Sequence, residues 1–160
     1  MELVTDCCLI IIFVFMVNLI DKSSLPVVAS FIRLYGPALR EFFPDSDANI
    51  SFHNLPESEN QFRDILVRLG KKIFISPEEV GRLGLSNPEI FAALAHELGH
   101  ILYNADAFAP DNEQRADTLA ARLGLGSQMI AVIEKIIASR RFRHLTSELV
   151  RRIQFLQLVG

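Results

Sequence analysis

The sequence has very little of two residue types that often decide the class of a small protein. It contains two cysteines, Cys7 and Cys8, and no tryptophan. Adjacent cysteines cannot connect distant segments, so a disulfide framework is excluded and a reducing compartment, the cytoplasm, is predicted.

The sequence also lacks an excess of basic residues: it has 16 lysines and arginines against 19 aspartates and glutamates, which gives a net charge of -3. The basic excess typical of nucleic-acid-binding proteins is therefore absent, and no nucleic-acid partner is predicted.

The charges that are present are unevenly distributed. Residues 41–64 carry acidic side chains against a single arginine, whereas residues 135–152 gather one lysine and several arginines. We interpret both runs as solvated surface, with contact to a substrate or to anionic lipid as the alternative.

The N-terminal apolar run, residues 7–20, is shorter than the ~18–20 apolar residues that span a bilayer. No lysine or arginine precedes it, which disfavours a cleaved secretion signal. Two interpretations stay open: a buried helix or strand, or a short membrane anchor. In an anchor, Lys22 on the C-terminal side would hold the rest of the chain at the inner face of the membrane. We therefore divide the chain into an apolar segment, residues 1–22, and a single domain, residues 23–160.

The remaining chain has mostly helical patterns, separated by capping residues, glycines and prolines. Gly36 and Pro37 predict a kink, or a division into two helices, in the first helical stretch. Helices are predicted over residues 25–43, 58–70, 76 to 81 or 84, 86–104, 111–124, 127–137 and 147–158, and strands over residues 50–53 and 71–76. The expected fold class is α+β, dominated by helices, with a small sheet of two to four strands.

One helical stretch, "AALAHELGHILYN" at residues 92–104, combines an apolar surface with three polar side chains. Residues four apart lie one above the other on a helix, so His96 and His100 can bind one ion. Glu97 then lies where it can take a proton from a metal-bound water. This is the H-E-x-x-H pattern, and it predicts a Zn²⁺ site. The alternative is a pair of core histidines that bond to other protein groups.

A second stretch, "DNEQRADTLAARLG", supplies the candidate for the third ligand that a catalytic zinc site needs. Glu113 and Asp117 are again four residues apart. One carboxylate can reach the metal while the other accepts a hydrogen bond from a zinc-bound histidine. The alternative is a solvated helix start, where an acidic residue is favoured by the helix dipole. Small residues predict close packing of the two helices: Gly99, Ala116, Ala120 and Ala121.

A rival assignment makes Asp106 the third ligand, within an H-E-x-x-H-x-x-G-x-x-H/D pattern. That pattern needs a glycine to turn the chain out of the helix, and position 103 is Tyr. The rival is therefore disfavoured.

The stretches "AALAHELGHIL" and "EQRADTLAARL" together resemble the glutamate-ligand zincins. They are most similar to the HtpX-type and CAAX-prenyl-protease-type peptidases, over residues 72–137, and the ImmA/IrrE-like proteases share a similar pattern. The resemblance implies a helix-dominated, minimal zincin-like domain. It also implies His96, His100 and Glu113 as zinc ligands, Glu97 as general base and Asp117 as a support for a ligand.

Amide hydrolysis develops an oxyanion, which usually needs a further hydrogen-bond donor. His144 is the candidate donor, with Tyr103, Arg140 and Arg143 as weaker ones; the alternative is an exposed histidine in a basic loop. His53 is interpreted as structural or exposed.

The sequence thus predicts a zinc-dependent metalloendopeptidase that acts on peptide or protein substrates. The alternative is a regulatory or interaction protein that keeps a metal-stabilised core and docks through its apolar N-terminal and basic C-terminal regions. Glu97 favours the enzyme, because a structural metal site has no need of a general base.

Overall fold

The structure, a computed structural model, describes residues 17–60, 64–103 and 111–160. These residues form a four-stranded sheet and six α-helices, which confirms the predicted helix-dominated α+β fold. The strands are β1 (Asn18–Asp21), β2 (Asn49–Asn54), β3 (Leu66–Leu69) and β4 (Lys72–Ile75). The helices are α1 (Pro26–Phe42), α2 (Pro77–Arg82), α3 (Asn87–Leu102), α4 (Asn112–Arg122), α5 (Gly126–Ala138) and α6 (Thr146–Val159).

The sheet has the strand order β1-β2-β4-β3. The first three strands in this order are parallel, and β3 runs antiparallel to β4 at an edge. Phe52 of β2 and Ile73 of β4 are neighbours in register and fully buried. The Phe31 ring of α1 lies 6.3 Å from the Phe52 ring and 6.0 Å from the Phe91 ring of α3. These ring contacts connect α3 to α1 and α1 to strand β2 of the sheet.

The apolar N-terminal run falls only partly within the described residues. Val17 is buried in the core, and residues 18–21 form β1, which pairs with β2. Residues 7–16 of the predicted buried element or anchor lie outside the described residues. No helix in the described part of the chain is both long enough and apolar enough to cross a bilayer.

The predicted helix over residues 58–70 is wrong in its described part. Residues 57–59 form one turn of 3-10 helix, and residues 66–69 form strand β3, which pairs with β4 as a hairpin. Gly70 has a φ of +61°, a left-handed conformation that suits the hairpin turn. The spacing of apolar residues in this short segment fits a helix and a strand equally well, and the pairing with β4 makes it a strand.

Helix α1 continues through Pro37, whereas the sequence predicted a kink or two short helices. Its apolar side is buried on both sides of the proline, at Phe31 and Leu39. This packing outweighs the hydrogen bond that the proline cannot donate.

Helices α3 and α4 approach each other closely at Gly99, as predicted from the small residues. A Cβ atom added to Gly99 would lie 2.4 Å from the carbonyl oxygen of Ala116 and 2.7 Å from its Cα. Ala116 and Ala120 are fully buried at this crossing. The backbone contact sets the distance between the histidines of α3 and the carboxylates of α4.

We expect Gly99→Ala to destabilise the protein by about 1–3 kcal/mol, because the added methyl group forces the helix backbones apart. This loss overrides the gain of ~1 kcal/mol that alanine normally brings to a helix. Gly81→Ala in α2 is the matched control, because a Cβ there meets nothing within 4 Å. Urea unfolding of both variants measures the effect. Equal stabilisation by the two substitutions would contradict the close approach.

Candidate metal centre

Helix α3 begins at a capping box and carries both histidines on its buried side. The Glu89 carboxylate accepts hydrogen bonds from the Ser86 backbone N–H, at 2.6 Å, and from the Ser86 hydroxyl, at 2.9 Å. Such a box stabilises the first helical turn and fixes where the helix begins. His96 and His100 then follow one turn apart, at 6% and 7% exposure.

Each histidine ring is oriented by a hydrogen bond at Nδ1. His96 Nδ1 lies 2.8 Å from Asp117 Oδ1, and His100 Nδ1 lies 3.2 Å from Asn112 Oδ1. Both partners are oxygen acceptors, so Nδ1 carries the hydrogen and donates. Arg152 Nη2 also lies 3.2 Å from His96 Nδ1, but the shorter contact with Asp117 decides the assignment. A neutral ring held in this way presents an unprotonated Nε2.

The two Nε2 atoms and the Glu113 carboxylate converge on one point. The Nε2 atoms are 3.2 Å apart, and Glu113 Oε2 and Oε1 lie 3.2 Å and 3.5 Å from His96 Nε2 and His100 Nε2. Donors bound at ~2.0–2.2 Å to one tetrahedral ion would be ~3.3–3.6 Å apart. Three lone-pair donors this close need a cation or a proton between them. The group His96, His100 and Glu113 could therefore hold a metal ion.

Arg152 of helix α6 lies beside the metal-ligand group and contacts Asp117 and Glu113. Its Nε and Nη2 donate to the two Asp117 carboxylate oxygens, each at 2.8 Å, and its Nη1 lies 3.1 Å from Glu113 Oε2. Asp117 is fully buried and Arg152 is 8% exposed. A bidentate pair in such an environment is geometrically well defined. Helix α6 thereby fixes the carboxylate that orients His96.

Burial and hydrogen bonding shift the pKa values of this cluster in opposite directions. Burial lowers the pKa of His96, but its hydrogen bonds to Asp117 and Glu113 outweigh burial and raise that pKa to about 9. Burial, together with the charge on His96, lowers the pKa of His100 to about 4. Burial alone would raise the pKa values of Glu113 and Asp117, yet His96 and Arg152 hold both at about 2. A proton and a metal ion would therefore compete for the ring of His96.

Glu97 lies beside the metal-ligand group and lines the same cavity, which has a volume of about 200 Å³. Its carboxylate is 3.8 Å from Nε of Arg68, a residue of β3. Burial raises the pKa of Glu97, while the charges on His96 and Arg68 oppose that rise. Arg68 Nε is buried without a hydrogen-bond partner, the one such side-chain atom in the described ranges. Glu97 is therefore placed to exchange a proton with a molecule in the cavity.

The other predicted residues lie away from this cluster. His144 is exposed in the 3-10 turn at residues 143–145 and is not among the residues that line the cavity. Arg140 and Arg143 are exposed as well, and the Tyr103 hydroxyl accepts a hydrogen bond from Arg122. His53 contacts the Ser51 hydroxyl at 2.9 Å. The oxyanion-donor role of His144 stays a prediction. The rival ligand Asp106 lies outside the described residues.

Sequence reasoning missed the roles of Arg152, Arg68 and Asn112. Arg152 belongs to the basic run predicted as solvated surface, and that prediction is wrong for this residue. A signal was present, since Leu149 and Leu156 are three and four residues away and share its buried helix side. Arg68 could be placed only once β3 was recognised as a strand.

Comparison of the chain with protein-family models, with curated proteins and with solved structures returned no match.

Proposed function

We propose that this chain is a zinc-dependent metallopeptidase that cleaves peptide or protein substrates. The observation that carries the proposal is the convergence of His96, His100 and Glu113 beside a cavity that also contains Glu97. Metal ligands without a neighbouring acid or base would indicate a structural site. Here a carboxylate outside the ligand group shares the cavity with the ligands.

The donor set favours zinc and a catalytic role for it. Two imidazoles and one carboxylate are typical of catalytic zinc, where three protein ligands leave one coordination position for water or substrate. Bound Zn²⁺ would polarise a carbonyl oxygen and lower the pKa of water. The chain itself contributes ring orientation, through Asp117 on His96 and Asn112 on His100. Such supports fix the tautomer that a metal requires.

Glu97 acts as the general base in this proposal. Its carboxylate takes a proton from the attacking water and returns it to the leaving amine. The raised pKa suits both steps, because a carboxylate with a raised pKa binds a proton more readily and can hold it until the amine leaves. The charges on His96 and Arg68 oppose the rise and so favour the ionised form, which can accept a proton.

Membership of the glutamate-ligand zincins is part of the proposal, and it rests on the stretches "HELGH" and "EQRAD". The HtpX-type peptidases are the members that this pair of stretches resembles most. A cytoplasmic location fits the two adjacent cysteines. Contact with the inner face of a membrane, which the position of Lys22 favours, is proposed for residues 7–16 alone, because Val17 is buried in the core and residues 18–21 form β1.

The test is Glu97→Gln, which we expect to retain metal and fold while lowering peptide hydrolysis by about 10²–10⁴-fold. The amide keeps the shape of the side chain and removes its basicity. Cleavage of a fluorescence-quenched peptide library and metal content by mass spectrometry are measured together. Glu134→Gln, at an exposed position of α5, is the control. Unchanged hydrolysis by Glu97→Gln would disprove the mechanism, and a metal-loaded parent without any cleavage would favour the regulatory alternative.

A further inference from the structure

The turn between α5 and α6, residues 139–145, has an inner side and an outer side. On the inner side, Arg141 forms an ion pair with the buried Glu79 of α2, and Phe142 lines the cavity beside the metal-ligand group. On the outer side are three exposed basic residues, which we call the basic surface: Arg140, Arg143 and His144. The two inner contacts fix the turn, so the basic surface is held next to the cavity.

The side chains of the basic surface have no partner within the fold. In residues 17–60, 64–103 and 111–160, none of the three takes part in a hydrogen bond or an ion pair. Glu148 is the one acidic residue between positions 135 and 152, and it interacts electrostatically with the buried Arg152. The positive charges of Arg140 and Arg143 are therefore available to a group outside the chain.

The backbone at Arg140 adopts a conformation that does not suit an arginine. Its φ is +57°, and it is the one residue other than glycine with a positive φ in the described part of the chain. Glycines occupy the three comparable positions, at residues 70, 84 and 124. A left-handed conformation is unfavourable for any residue with a Cβ atom. The chain thus has a charged side chain where glycine would be more stable, and no contact within the fold compensates for it.

We propose that the basic surface binds an acidic segment of the polypeptide substrate. This inference rests on the proposed peptidase function and adds a class of substrate to it. Glutamate and aspartate are the fitting side chains, because a carboxylate can accept two parallel hydrogen bonds from one guanidinium. Phe142 and His96 line one cavity of about 200 Å³. An extended chain advances ~3.3 Å per residue, so the acidic segment begins about two to five residues from the scissile bond.

An anionic membrane is the competing partner, and the size of the basic surface disfavours it. Recognition of anionic lipids typically uses clusters of about 4–8 lysines and arginines, whereas this surface has two arginines. Leu145 is the one large apolar side chain of the described turn that is exposed, at 37%. A peptide already held in the cavity needs much less, because its second contact is intramolecular.

The experiment compares cleavage of three peptides by the metal-loaded full chain. The peptides share one cleavable sequence and differ in a block of glutamates, glutamines or lysines, which is moved stepwise away from the scissile bond. Two exposed ion pairs should give the glutamate peptide a kcat/KM about 2–30-fold above that of the glutamine peptide. The preference should decrease in about 0.5 M sodium chloride, because the charges are exposed. Equal rates for the three peptides, or a preference for lysine, would overturn the proposal.

Substitutions connect the preference to the basic surface. The double variant Arg140→Gln with Arg143→Gln should cleave the glutamate and glutamine peptides equally. The matched control is Arg33→Gln with Arg40→Gln, which removes two exposed arginines from α1 and should keep the preference. Loss of the preference in the control as well would show a general effect of net charge and would overturn the assignment to the turn.

Arg140→Gly separates binding from a structural role of this residue. Glycine suits the positive φ, so the variant should unfold at an equal or higher urea concentration than the parent. It should nevertheless lose part of the preference for the glutamate peptide. A lower unfolding midpoint together with an unchanged preference would make Arg140 a structural residue and overturn its part in the surface.

A binding measurement distinguishes this inference from the proposed function. Fluorescein-labelled hexaglutamate should bind the metal-loaded chain, and the double glutamine variant should bind it more weakly. Such binding without cleavage of any peptide would leave the basic surface intact and overturn the peptidase. Cleavage without a preference would overturn the basic surface alone. Binding to phosphatidylserine vesicles that depends on Arg140 and Arg143, with no binding of hexaglutamate, would identify a lipid surface and overturn the acidic segment.

Discussion

Replacing Glu113 with alanine is expected to remove the metal and the activity together. The carboxylate would supply one of three protein donors, and it lies 3.2 Å and 3.5 Å from the two Nε2 atoms. Four-ligand zinc sites bind with ~10–16 kcal/mol, so one donor contributes roughly a quarter of that free energy, or about 10²–10³-fold in affinity. Zinc retained after dialysis against a graded chelator measures the loss.

Three further variants make this result specific to Glu113. Asp117→Asn should lose only about 10–100-fold, because Asp117 contacts a ligand and not the ion. Glu134→Ala, at an exposed glutamate of α5, should lose nothing. Asp106→Ala should keep the metal. If Asp106→Ala loses zinc while Glu113→Ala keeps it, both the ligand set and the resemblance to glutamate-ligand zincins fail.

The second large effect is expected for Arg152→Met, which should lower the free energy of unfolding of the metal-free protein by about 3–5 kcal/mol. The substitution keeps most of the side-chain volume and removes the charge. It leaves the fully buried Asp117 carboxylate with His96 as its remaining partner. A buried carboxylate that loses a charged hydrogen-bond partner is destabilising, because no water replaces the lost contacts. Urea unfolding in the presence of a chelator measures the change.

Arg151→Met is the matched control, since Arg151 is the exposed neighbour on the same helix. It should change stability by no more than ~0.5 kcal/mol. The double variant Arg152→Met with Asp117→Asn should recover part of the loss, because it also removes the buried charge of Asp117. Equal stabilities of the Arg151 and Arg152 variants would show that the pair contributes nothing to the fold.

The histidines and the carboxylates of the site could be predicted because their arrangement is local. His96 and His100 are one turn apart on a helix whose capping box is readable in the sequence. Glu113 and Asp117 repeat that spacing on the next helix along the chain. Gly99 pointed to the contact between the two helices.

The other contributors depend on contacts between distant parts of the chain. Arg152 is 35 residues from Asp117, and no spacing rule connects them. Its burial was readable only from the apolar residues around it on α6. Arg68 contacts Glu97 from β3, a segment that the sequence analysis predicted as part of a helix. Residues 66–69 form a strand only through their pairing with β4, which a local pattern does not reveal. Such pairings are set by the fold as a whole.

The backbone contact at Gly99 concerns the two helices that carry the metal-ligand group. Helices α3 and α4 approach so closely at Gly99 and Ala116 that a single added methyl group would force them apart. The apolar residues that line the cavity from outside this helix pair belong to the segment around β3, to α5 and to the turn after α5: Ile65, Leu66, Met129, Val132, Ile136 and Phe142. Exchanging side chains such as Ile136 and Phe142 would therefore change the shape of the cavity and leave the metal-ligand group in place.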